Sequence, residues 1–132
     1  RAINVLTKKQ TAGYTGWTTK EDIVSVNPPQ EVNHKTFSLR IHLDEANENN
    51  GGLKVIPSSH KKIHSDAERA VITENTDPKI TVIDAGGIML MKPLLLHKSS
   101  KSQNQRKRRV VHLEFSSAKL ADGLEWAEKL RI

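Results

Sequence analysis

The stretch "TFSLRIHLDEANENNGGLKVIP", Thr36 to Pro57, decides the fold. From Thr36 to Leu43 the residues alternate: Phe37, Leu39, Ile41 and Leu43 fall on one face, and Ser38, Arg40 and His42 on the other. An alternation of period two is that of a β-strand. The following "DEANENNGG" is turn chemistry throughout, because Asn and Gly accept positive φ. "LKVIP" then reads as a short strand closed by Pro57, so the spacing predicts a hairpin. The strand also carries His42-x-Asp44, two residues apart and therefore pointing the same way, which raises the question of a metal site.

Outward from this stretch, "KITVIDAGGIMLMKPLLLHKSS" predicts a strand over Ile80–Ile83, a turn over Asp84–Gly87 and an apolar strand from Ile88 to Leu96 interrupted by Pro93. "RRVVHLEFS" predicts another strand over Arg108–Phe115. "SDAERAV", Ser65 to Val71, is a helical turn with Ser65 as cap and Glu68 three residues on. The first third, including Gly13–Pro29 with its Pro-Pro pair, shows no clear period and reads as a long loop with one short strand. The end reads as a loop with one or two helical turns. Short strands joined by Gly, Asn and Pro turns imply a mainly all-β chain, an antiparallel sandwich or barrel with the jelly roll a good candidate, plus short helical turns. One domain over 1–132 is expected, with 1–35 mostly lid or loop, 36–116 core strands and 117–132 a C-terminal extension.

The chain has 132 residues, enough for one hydrophobic core. It contains no cysteine, which excludes disulfides and thiolate metal sites and leaves His and carboxylates as metal ligands. No apolar run approaches the roughly 18 residues of a membrane span, and a cytoplasmic location is expected. The net charge of +6 is concentrated in "KSSKSQNQRKRR", Lys98 to Arg109. Such a run suits a solvated loop or phosphate contacts. Only Tyr14, Trp17, Phe37, Phe115 and Trp126 are aromatic, too few for a row of base-stacking platforms, so nucleic acid is not the expected partner.

Two histidines and a carboxylate suffice to hold Fe(II) while leaving positions open. His42 and Asp44 are one candidate pair, and His97, ending the apolar strand, is a candidate third ligand. Arg108, eleven residues after His97, is placed to pair with a carboxylate of a cosubstrate, since guanidinium matches carboxylate in a two-point fork. Each residue also has an ordinary reading: His42 as a polar residue on the solvent or cavity face, His97 as a strand exit, the arginines as a soluble loop. His60 and His64 are four apart but lack a third ligand, and His34 and His112 have no evident partner. No phosphate loop, Ser-centred elbow or zinc signature is present.

Taken together, "LRIHLDEANENNGGLKVIPSSHK" and "GGIMLMKPLLLHKSS…RKRRVVHLEF" resemble the phytanoyl-CoA dioxygenase family of non-haem Fe(II) enzymes that use 2-oxoglutarate, and "YTGWTTKEDIVSVNPP" is similar to a loop of bacterial members. The similarity runs from Tyr14 to Trp126. It implies a double-stranded β-helix, or jelly roll, incomplete at its N-terminal side. It implies that His97 is the distal iron ligand, that Arg108 holds the far carboxylate of 2-oxoglutarate with Arg109 its nearest competitor, and that Ser99 is the small polar residue of the family's His-x-Ser. Ser58 departs from the family, standing where Gly is usual. The family's His-x-Asp lies on an earlier strand, which places the true pair just before Arg1 and makes His42-x-Asp44 a look-alike. The strand count agrees. Three strand candidates separate His42 from His97, whereas ligands on the second and seventh strands of this fold have four strands between them.

The resemblance implies an Fe(II)- and 2-oxoglutarate-dependent oxygenase hydroxylating a small organic substrate, with the Gly13–Pro29 loop covering it. A jelly-roll module without a complete metal site, inactive alone, is the alternative. A basic nucleic-acid binder working through Lys98 to Arg109 is the third reading.

Overall fold

The computed structural model describes residues 2–99, 101–121 and 123–130. Strand is the main regular structure of the described residues, the strand pairings are antiparallel, and the chain resolves into two compact units, one of residues 1–36 with 116–132 and one of residues 37–115.

In the first unit, β1 (Ile3–Val5), β2 (Thr15–Lys20) and β3 (Ile23–Asn27) form a sheet of order β1-β3-β2. The expected long loop over 1–35 is therefore replaced by three strands and a five-residue helix, α1 (Gln30–His34), entered from Pro29. Sequence patterning hid the hairpin for two reasons. Strand β2 is exposed almost throughout, so it has no alternation of apolar residues to show. Its two-residue turn is Glu21-Asp22, both at positive φ (50° and 62°), a geometry usually signalled by Asn-Gly. Ile3, Val5, Tyr14, Val26 and Leu124 form the core of this unit, with Trp17 and Trp126 packed against it. The C-terminal segment is tied down by an isolated bridge between Val5 and Trp126 and by the Leu6 N–H donating to the Glu125 carbonyl (3.0 Å). Among the described residues after Ser116 there is no helix, contrary to expectation.

The second unit holds two three-stranded sheets. One has the order β7-β4-β9, from β4 (Thr36–His42), β7 (Ile88–Met91) and β9 (Val110–Ser116). The other has the order β6-β5-β8, from β5 (Leu53–Val55), β6 (Lys79–Ile80) and β8 (His97–Ser99). The chain thus crosses between the two sheets repeatedly, with only β5 and β6 successive in one sheet, a jelly-roll-like arrangement. One expectation is corrected: β4 and β5 do not form a hairpin, because the Asn-rich turn carries the chain from one sheet to the other. Asn50, 1% exposed, fixes that turn. Its Nδ2 donates to the Glu45 carbonyl (2.6 Å) and its Oδ1 accepts from the Asn47 N–H (2.6 Å), local bonds that Asn side chains make readily. Gly52 lies so close to the carbonyls of Asn47 and Thr81 that a Cβ would sit 2.7 and 2.8 Å from them.

The predicted strand at Ile80–Ile83 is shorter, Lys79–Ile80 followed by a single bridge between Ile83 and Ala46, and Pro93 ends β7 at Met91. Helix α2 (Asp66–Asn75) extends the predicted turn. Ser65 caps it in a reciprocal capping box with Glu68, and none of its residues is buried.

The sheet β7-β4-β9 is inverted relative to the usual disposition. Phe37, Leu43, Ile88, Leu90, Val111 and Leu113 are all at least 39% exposed, whereas Ser38 and His42 are each 2% exposed. Antiparallel sheets normally bury the apolar face and solvate the polar one. On β4 the polar face is the one turned inward, while most of β9, including His112 and Glu114, is exposed.

Candidate functional site

The inward face of β7-β4-β9 is assembled by register. Arg40 faces Met89 and Ser38 faces Met91 across the β4–β7 ladder. On the other side, the Ser38 hydroxyl meets Glu114 Oε1 (3.1 Å) and Arg40 Nη1 meets His112 Nδ1 (3.3 Å). Residues opposed across a ladder share a face, so the even-numbered residues of β9 lie beside Ser38, Arg40 and His42. Two-residue periodicity then carries Arg108, just before β9, to that same face and Arg109 to the other.

The structure separates the two arginines. Arg109 is spent on Asp44: its backbone N–H (2.8 Å) and Nε (2.9 Å) donate to Oδ2, and Nη2 (2.9 Å) donates to Oδ1. This two-point fork holds the Asp44 carboxyl near a pKa of about 2, chiefly through the side-chain and backbone hydrogen bonds from Arg109. Arg106, in the same basic run, pairs with Glu45 (2.6 Å). Arg108 by contrast is half-buried and makes no side-chain hydrogen bond or ion pair among the described residues. It lies close enough to Arg40 and His42 to disfavour the protonated form of both, although burial is the larger cause in each case.

His42 is the most unusual residue on this face. It is 2% exposed, yet among the described residues neither ring nitrogen has a hydrogen-bond partner, and Arg40 Nε is buried without one as well. Burial, then the charges of Arg40 and Arg108, pushes the imidazole pKa down, so the ring is neutral and offers one N–H donor and one lone pair. Buried polar groups left unpaired in this way call for a ligand or water.

His97 and Ser99 sit on the second sheet. Opposed to Val55 and Leu53 on β5, they share the face that carries buried Leu53. His97 Nδ1 lies 2.7 Å from the Leu95 carbonyl, which only accepts, so Nδ1 carries the proton and the Nε2 lone pair remains available. The entry to β8 is fixed by Ser59, a residue that the spacing did not single out. Its hydroxyl donates to the Ile56 carbonyl (2.7 Å) and accepts from the Leu96 N–H (2.8 Å), locking the chain one residue before His97. Ser58 beside it adopts φ 65°, the left-handed conformation that explains why Gly is usual there. Arg40 too went unassigned, its only sequence signal being its place in the polar stripe Ser38-Arg40-His42.

Fit to the groups that the resemblance implies differs between iron and the oxo acid. Among the described residues no three His or carboxylate side chains come together to hold a metal ion. His97 alone is too little for Fe(II), and Asp44 is directed at Arg109, so these residues do not make an iron site by themselves. An acidic ligand fits better, because Arg108, Arg40 Nε and His42 are polar groups on one inward face without an acidic partner. No helix among the described residues is long and apolar enough to cross a membrane.

No curated protein and no solved structure matches the chain. The family model for phytanoyl-CoA dioxygenase matches residues 2–110, most of the chain and nearly all of both strand-bearing units up to the start of β9. With that match, and a mainly antiparallel jelly-roll-like fold, the chain belongs to the phytanoyl-CoA dioxygenase family.

Proposed function

We propose that this chain forms the cosubstrate-binding part of a 2-oxoglutarate-dependent oxygenase domain acting on a small organic substrate, with Arg108 as the anchor for the far carboxylate of the oxo acid. One observation carries the reading. Of two adjacent arginines, Arg109 is neutralised by Asp44, while Arg108 is left half-buried and without an acid on an inward polar face. A guanidinium in that position costs free energy unless an anion pairs with it, and a carboxylate matches its fork. Ser99 and His97, both exposed on β8 of the other sheet, are the other two residues assigned here, with Ser99 a hydroxyl donor toward the bound acid and His97 one imidazole ligand for iron. Iron needs further ligands beyond the described residues, and no step of the reaction is assigned to this chain alone.

The reading is tested by calorimetric titration with 2-oxoglutarate. Binding is expected in the parent and in Arg109→Ala, and a loss of about tenfold or more in Arg108→Ala, the effect of removing a charged hydrogen-bond partner. Equal affinity of the Arg108→Ala variant and the parent refutes the assignment.

A further inference from the structure

The polar face of β7-β4-β9 holds more than Arg108. Arg40 and His42 alternate onto it from the neighbouring strand, and both present buried nitrogens with no partner: Nε of Arg40 and both ring nitrogens of His42. Two guanidinium charges and an imidazole, with no carboxylate bonded to any of them among the described residues, make an uncompensated cationic patch. An acid on the same face, Glu114, is held by Ser38 (3.1 Å) and lies 3.8 Å from His112. This charge pattern selects the ligand. A divalent metal at His42 is opposed by Arg40 and Arg108, while an anion gains from both.

Resting on the reading of Arg108 given above, we infer that Arg40 and His42 are further binding residues for the oxo acid, forming with Arg108 a three-pronged seat for a single carboxylate. Arg40 offers Nε–H, Arg108 its free fork, and His42 one ring N–H. Together these satisfy a carboxylate's two oxygens, which take about four hydrogen bonds. A neutral imidazole suits the position because it donates without adding a third charge. The seat also answers why a histidine stands at the end of β4: its proton is directed at a ligand acid, and its proximity to Asp44 in sequence is incidental, since Asp44 turns to Arg109.

The test uses the intact chain without metal. 2-Oxoglutarate is titrated by calorimetry into the parent and into Arg108→Ala, Arg40→Gln and His42→Gln. The ring nitrogens of His42 in the parent, assigned through its backbone, are followed by NMR in parallel. The seat predicts that Arg40→Gln weakens binding about tenfold and His42→Gln about threefold to tenfold, as expected for a charged and a neutral donor to a carboxylate. It also predicts that the His42 ring nitrogens shift on adding 2-oxoglutarate and not on adding 2-oxobutyrate, which lacks the far carboxylate. If Arg108→Ala loses binding but the Arg40 and His42 variants bind as the parent and the His42 signals stay still, the seat is wrong and the Arg108 reading stands. If Arg108→Ala binds as the parent, or the parent does not bind, both are wrong. Should His42→Gln fail to fold, the His42 signals of the parent decide the matter alone.

Discussion

Replacing Ser58 by glycine should stabilise this protein. Ser58 is exposed, sits at φ 65° and ψ −3°, and makes no side-chain hydrogen bond to the 3-10 turn it precedes, so the substitution removes no contact. A residue with a Cβ pays about 1–2 kcal/mol in the left-handed region. Glycine's greater freedom in the unfolded chain returns roughly 0.5–1 kcal/mol of that. The expected gain is therefore about 0.5–1 kcal/mol, a rise in Tm of roughly 2–5 °C for a domain of this size. Thermal and urea unfolding of the parent and Ser58→Gly measure it, with the urea m-value unchanged because no surface is newly exposed. Ser58→Val supplies the opposite sign, since a β-branched side chain is least tolerated at positive φ. A Ser58→Gly variant no more stable than the parent, together with a Ser58→Val variant no less stable, would refute the conformational argument and mean that the turn relaxes freely.

Three further outcomes follow from the same structure. Gly52→Ala should destabilise by about 1–3 kcal/mol, because the new methyl meets two backbone carbonyls that cannot swing aside, and chemical denaturation reads this as a lower midpoint. Ser59→Ala should cost about 1–3 kcal/mol by leaving the Leu96 N–H without its acceptor, while the Ile56 carbonyl keeps the Ser59 backbone N–H, and amide exchange at Leu96 and His97 should accelerate before that of β4. The Asp44 carboxyl, depressed to about 2, binds protons less readily folded than unfolded. Its stabilising effect is complete above about pH 4 and is lost as pH falls toward 2, so Asp44→Asn should flatten that part of an acid-unfolding curve.

The strands of the second unit were legible wherever one face is apolar and the other polar: Phe37-Leu39-Ile41-Leu43 against Ser38-Arg40-His42 gives β4 unambiguously. What alternation cannot give is which face of β4 turns inward, and here the polar one does, so the sequence offered no role for Arg40. Pairing partners were equally hidden. An Asn-Gly turn between two strands signals a hairpin by local chemistry, whereas Asn50 bonds to Glu45 and Asn47 and hands the chain to another sheet, a tertiary outcome. Strand β2 was missed because an exposed strand needs no apolar pattern, only a partner. Within the site, the alternation argument that only one of Arg108 and Arg109 faces inward needed the Asp44 fork to say which. Ser59 had no signal of its own beyond standing in "PSSH", since a hydroxyl that bridges two backbone groups 40 residues apart leaves no spacing to read.

Helix α2 has no buried residue, and its N-terminal end is held by its own first side chains and those just before it: the Ser65–Glu68 box, the Lys62–Glu68 pair and the Asp66–Arg69 pair. Nothing in the core depends on it, and it depends on little of the core. It should therefore open and close as a local event at a small fraction of the global unfolding free energy, sampled many times in the lifetime of one folded molecule. The residues from Asp66 to Asn75 form a stretch where proteolytic nicking, insertion and sequence drift are tolerated without loss of the sheets on either side. Its rate of change through evolution should be set by helix chemistry alone.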